Sequence, residues 1–200
     1  MKNLFNYKTV LVLAGTLIFA TSCDENRTTE TGEVDGQENL DNMATEGETA
    51  VVVDNDGPTA FLTRVAEMQL MEIQLGKLAQ EKATSAQVKE LGQMMEADHT
   101  KTLEEVKQMA QTKSVTIPTT ETDDARDSYQ KLGEETGADF DKEYSDMMVD
   151  HHEKAIELFE DAAEDSEDAE IKAWASTKLA GLRTHLGHAK AAKEQADKAN

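Results

Sequence analysis

The chain has 200 residues, a formal net charge of −21, 30% charged residues and only 4% aromatics. Phosphate contacts need clustered Lys and Arg, so this acid excess excludes nucleic-acid binding. The single cysteine excludes a disulfide within one chain, and the polyanion favours solubility or cationic partners.

Lys2 and Lys8 give a short basic start, and residues 10–20 form an uncharged apolar run. The run is shorter than the about 20 apolar residues that a membrane-spanning helix needs. A basic start, a short apolar run and small residues in that order read as a secretory signal peptide. Ala20, Thr21, Ser22 and Cys23 then resemble the lipobox of bacterial lipoproteins, with Ala20 where leucine is commoner. The resemblance implies removal of residues 1–22 and lipidation of Cys23, which anchors the protein to a membrane in the cell envelope. Without Lys2 and Lys8 the net charge becomes −23.

Residues 23–57 differ in composition from all that follows. Beyond Cys23 they hold eleven acidic residues against one basic residue, Arg27. Such a segment buries too little apolar surface to offset its ordering entropy and is expected to be a disordered acidic tether. Its self-repulsion would extend it away from an anionic surface.

Residues 58–200 are rich in Ala, Glu, Lys, Leu, Met and Gln and suit one helical domain. The first helix is expected over about 58–82, with Phe61, Val65, Met68, Leu75 and Ala79 on one stripe. Thr84 and Ser85 interrupt, with Gln87 completing a capping box on Thr84. The second helix then runs to about 111 along Val88, Leu91, Met95, Leu103, Val106 and Ala110. So short a break makes the two an antiparallel hairpin. Pro118 blocks helix, and a short helix follows Thr122 until Gly133 and Gly137 end it. The third long helix is expected over about 138–164, with Phe140, Tyr144, Met147, Ala155, Leu158 and Ala162 inward. Ser166 caps a fourth over about 167–198, with Ile171, Ala175, Leu179, Leu182, Leu186 and Ala189 inward. Met95-x-x-Asp98-His99 and Met147-x-x-Asp150-His151 form an internal echo at the centres of two helices.

Polar residues interrupt the apolar stripes halfway along each long helix. Glu72 lies between Met68 and Leu75, His99 between Met95 and Leu103, and His151 between Met147 and Ala155. His185 lies at the edge of the fourth stripe. In antiparallel helices of similar length these positions meet at one height. A hydrogen-bonded polar core is the simpler reading, since buried polar groups need partners. The alternative is a site for one transition-metal ion, because imidazole and carboxylate suit zinc, iron, copper or manganese. Glu96 and His99 add the Glu-x-x-His spacing of di-iron bundles, but Leu182-Arg183-Thr184-His185 lacks the second copy, which disfavours a di-iron centre. His152 should point off the stripe and His188 should lie near the surface. No catalytic residue is identified: the chain has no Gly-x-Ser-x-Gly, no phosphate-cradling glycine loop and no cysteine beyond Cys23.

Four segments carry a family resemblance. They are residues 72–79, Met94-Met95-Glu96-Ala97-Asp98-His99-Thr100-Lys101, Phe140–Tyr144 with Met148-Val149-Asp150-His151, and residues 179–186. In that order they resemble the exported bacterial family called domain of unknown function 4142, of the ferritin-like superfamily. The resemblance covers nearly all of residues 58–195. It implies an all-α fold, a ferritin-like four-helix bundle with a long crossover containing a short extra helix. It implies no activity and names no protein partner. Two function classes follow: a non-enzymatic, lipid-anchored envelope domain for binding or stress tolerance, and a metal-binding ferritin-like protein.

Overall fold

A computed structural model of the chain describes residues 57–199. The expected signal peptide, Cys23 and the expected tether through residue 56 lie outside the described residues. Five helices follow in order: α1 Pro58–Lys82, α2 Ala86–Thr112, α3 Asp123–Glu134, α4 Gly137–Asp165 and α5 Ala169–Ala199. Among the described residues there is no strand, and no helix is long and apolar enough to cross a membrane.

The helix ends follow local chemistry, with two departures from expectation. Pro58 opens α1, where its missing N–H costs nothing. The α1–α2 turn is capped from across the bundle rather than by a box on Thr84. The buried Asp141 carboxylate of α4 accepts the backbone N–H of Thr84 at 3.0 Å and of Ser85 at 2.8 Å, together with the Thr84 hydroxyl. Thr122 caps α3 by accepting the Ala125 N–H at 3.2 Å. Gly137 supplies the positive φ of 63° at the start of α4, a conformation that a Cβ would penalise. Asp168, not Ser166, caps α5: its Oδ1 accepts from Glu170 N at 3.0 Å and Ile171 N at 3.1 Å. A carboxylate is favoured there because it also meets the positive end of the helix dipole.

Cross-helix contacts fix the topology. The α1/α2 and α4/α5 pairs are antiparallel hairpins. Phe61, early in α1, meets Phe159, late in α4, with ring centroids 5.4 Å apart. Trp174, early in α5, donates to Glu105, late in α2, at 2.7 Å. Chain exit from α2 and chain entry to α4 therefore lie at opposite ends. At one end Lys113 pairs with Asp168 at 2.6 Å, and at the other Lys82 reaches the Gly133 carbonyl. The intervening residues must cover the length of a 27-residue helix, about 40 Å. The link is thus a long crossover, of the kind the family resemblance implied, with α3 within it.

Two apolar layers fill the ends of the bundle. One gathers Phe61, Leu62, Val65, Val106, Phe159 and Ile171; the other Leu75, Leu91, Met95, Leu132, Phe140 and Met148. Gly76 and Gly92 let α1 and α2 touch, since a Cβ on either would stand 2.7 Å from the other's carbonyl oxygen.

The inner stripe of α2 is as expected, but that of α4 is rotated at its middle. Its inward stripe is Phe140, Tyr144, Met148, His152, Ala155, Phe159 and Ala162, with Asp141 and Ser145 also buried, while Met147, His151 and Leu158 are half-buried. On α5 His185 is buried and His188 exposed.

Candidate metal centre

Between the two apolar layers lies a polar one, to which all four long helices contribute. Glu72 comes from α1, Gln69 one turn before it, His99 from α2, His152 from α4 and His185 from α5; all five are buried. The rings of His99, His152 and His185 form a near-equilateral triangle, with centroid separations of 5.6, 5.4 and 5.4 Å. One ligand atom from each lies within 4.8 Å of the other two.

Each ring is held from outside. His99 Nδ1 donates to Gln69 Oε1 at 2.6 Å, His152 Nδ1 to the Met148 carbonyl at 2.8 Å, and His185 Nε2 to Asp98 Oδ2 at 3.2 Å. A backbone carbonyl and a carboxylate only accept, and so does the amide oxygen of Gln69. Each outer nitrogen must therefore carry a proton, which leaves the inner nitrogen a bare acceptor whenever the ring is neutral. His99 Nε2, His152 Nε2 and His185 Nδ1 accordingly have no hydrogen-bond partner among the described residues. Glu72 repeats the pattern. Its Oε1 accepts from His151 Nδ1 at 2.8 Å and its Oε2 has no partner. Four of the six buried side-chain atoms without partners among the described residues thus belong to this one layer.

Electrostatics agree with this arrangement. Burial drives the His99 pKa down to about 4; Glu72 opposes that shift, and His152 and His185 reinforce it. Burial and His152 likewise lower His185, against the pull of Asp98. Burial by itself would raise Glu72, but the His151 hydrogen bond and the nearby His99 and His152 rings outweigh it and leave the carboxyl below its usual range. Tyr144 is pushed well above its ordinary value by burial and then by Glu72, and its buried hydroxyl has no partner among the described residues.

The sequence-expected residues divide accordingly. Glu72, His99 and His185 reach the layer. His151 touches it only through Glu72, and His152 takes the place expected of His151. Glu96 stands apart: its carboxylate accepts from Gln80 Nε2 at 2.6 Å. That bond ties one Glu96 oxygen to α1, and Glu96 is not among the residues grouped around the three rings. Gln69, Asp98 and His152 were not foreseen. The signal for Asp98 and His152 was adjacency, each standing next to an expected histidine.

Neither a curated protein nor a solved structure matches the chain. The family model described as Domain of unknown function (DUF4142) matches residues 42–192, which include every residue of the polar layer. The chain belongs to that family.

Proposed function

We propose that this is a lipid-anchored envelope protein whose helical bundle binds one divalent transition-metal ion between His99, His152 and His185, with Glu72 beside them. One observation carries the reading: three clustered, buried imidazoles each bond outward through one nitrogen and leave the other without a partner among the described residues. A purely structural polar layer would place a donor against each acceptor, since a buried atom without a partner costs about 1–3 kcal/mol. Here several such costs coincide, and a cation relieves them all at once. Outer acceptors on ligating histidines are also the arrangement by which proteins fix the tautomer of metal ligands. The spacing fits. An ion at the centre of atoms 4.8 Å apart stands about 2.8 Å from each, so bonds of about 2.0–2.1 Å need inward shifts below an ångström. Neutral imidazoles with one carboxylate and no thiolate favour zinc, iron, copper or manganese as divalent ions.

Elemental analysis of the full chain purified without an affinity tag tests this reading. One equivalent of a transition metal is expected, lost in His152→Ala and kept in His188→Ala. A metal-free protein that takes up neither zinc nor cobalt would end the metal reading. The anchor rests on the sequence around Cys23. Mass spectrometry of the mature N-terminus should find a diacylglyceryl group on Cys23, and a free thiol there would remove the membrane from the account.

A further inference from the structure

We propose that His151 is a positioning residue which makes Glu72 the anionic fourth ligand of the centre. The inference rests on the metal reading above and goes beyond it in the ligand set and in how that set is aimed. Glu72 lies outside the group of three ligand atoms that already stand within 4.8 Å of one another. Its carboxylate is almost fully buried, one oxygen is held by His151 Nδ1 at 2.8 Å, and the other has no partner among the described residues. A free carboxylate on a glutamate side chain has several rotamers. The bond to α4 anchors one oxygen and limits where the other can point.

His151 is suited to hold rather than to bind. Its side chain is 19% exposed, and its neighbour His152 occupies the inward position on α4. The two adjacent histidines thus divide the work, one facing the triangle and the other clamping the carboxylate from the α1–α4 seam. With Glu72 included, the ligand set draws one group from each long helix and carries one negative charge. That charge favours a divalent cation over a monovalent one in a site otherwise built of neutral rings.

Cobalt(II) added to the metal-free full chain is the probe, because its visible spectrum reports ligand number and type. The parent should bind one equivalent and show the bands of a four-ligand site. His151→Leu should weaken binding about 10–100-fold, as loss of an outer partner typically does, and should change the spectrum. His151→Asn keeps an N–H that can reach Glu72 and should restore much of both. Glu72→Gln should resemble His151→Leu, and the double variant should be no worse than either single one. Should His151→Leu fail to fold, Glu72→Gln and His151→Asn carry the comparison. A parent that binds no cobalt overturns the metal reading itself. A parent that binds, beside a His151→Leu variant with unchanged affinity and spectrum, overturns only the role of His151. Failure of His151→Asn to restore what His151→Leu loses would instead make His151 a ligand, and would equally overturn the positioning role.

Discussion

The two apolar layers and the polar layer between them are built by the same four helices but obey different rules. At the ends of the bundle, side chains such as Phe61, Phe159 and Trp174 pack ring against ring, and the one polar group among them, the Trp174 N–H, is bonded to Glu105. At the middle, His99, His152, His185 and Glu72 are each tied on one side and left open on the other. The contrast separates what holds the fold from what the fold holds. The end layers should supply the stability of the protein whether or not an ion is present. The middle layer should cost stability when empty and return it when filled.

The largest expected effect lies in an end layer. Phe159→Ala removes a fully buried ring packed on Phe61 and Trp174 and should cost about 3–5 kcal/mol by denaturant titration. Metal stoichiometry in the folded fraction should not change. Loss of metal uptake from a variant that is still folded would show that the layers are not independent.

Filling the middle layer should give the next largest change. A metal present at about 100 times its dissociation constant stabilises by about 2.7 kcal/mol. Thermal melts of the full chain with and without zinc should show this gain in the parent and in His188→Ala, whose histidine is exposed, and not in His152→Ala. An equal gain in all three would place the ion elsewhere on the acidic surface.

The end layers were far more legible in the sequence than the middle one. Apolar periodicity identified all four long helices, while the crossover was implied by the family resemblance, with the link from Lys113 to Gly137 long enough to make it. A stripe tolerates small errors of phase when the alternatives are both apolar. Met147-Met148 and Leu158-Phe159 offered such choices, and a helix of 3.6 residues per turn accommodates either member. The same doublet in polar form, His151-His152, was decisive. Reading Met147 and Leu158 as inward carried His151 with them, whereas Met148 and Phe159 are the buried members and carry His152. The echo between Asp98-His99 and Asp150-His151 misled in the same direction, because the counterpart of His99 in space is His152. Asp98 holds His185, but Asp150 is exposed. The outer partners Gln69 and Asp98 could not be read from periodicity, since they act on rings of other helices. The cap from Asp141 on the α1–α2 turn escaped notice for the same reason.

A smaller effect should come from the seam where α1 and α2 touch. Gly76→Ala places a methyl group 2.7 Å from the Gly92 carbonyl, and 3.0 Å from the backbone nitrogen of Glu96. Neither is a flexible side-chain end, so the helices must separate. Overpacking of this kind costs about 1–3 kcal/mol. Gly181→Ala, with open space around the added carbon, should gain slightly from helix propensity. Equal melting temperatures for the two variants would mean that the seam is not tight.

Acid should separate the layers most finely. The apolar side chains of the end layers do not titrate, and Tyr144 among them is pushed well above its ordinary value, so their packing contribution should be nearly flat between pH 7.5 and 5. In the metal-free protein His99 stays neutral down to about 4, whereas the unfolded chain takes up that proton near 6.5. Between those values the unfolded state binds more protons than the native state, so stability must fall as pH falls. By pH 5.5 the loss from His99 alone should be about 1 kcal/mol. The lowered His185 adds to it over the upper part of the window, and the lowered Glu72 adds to it below about 4.5, all with the same sign. Denaturant midpoints measured from pH 7.5 to 5 should therefore decline in the parent. Phe159→Ala should lie lower at every pH with the same slope. His99→Gln should show a shallower slope, because the group that resists protonation has been removed. Parallel lines for His99→Gln and the parent would mean that the middle layer does not keep His99 neutral, and the inward lone pair on which the metal reading depends would lose its support.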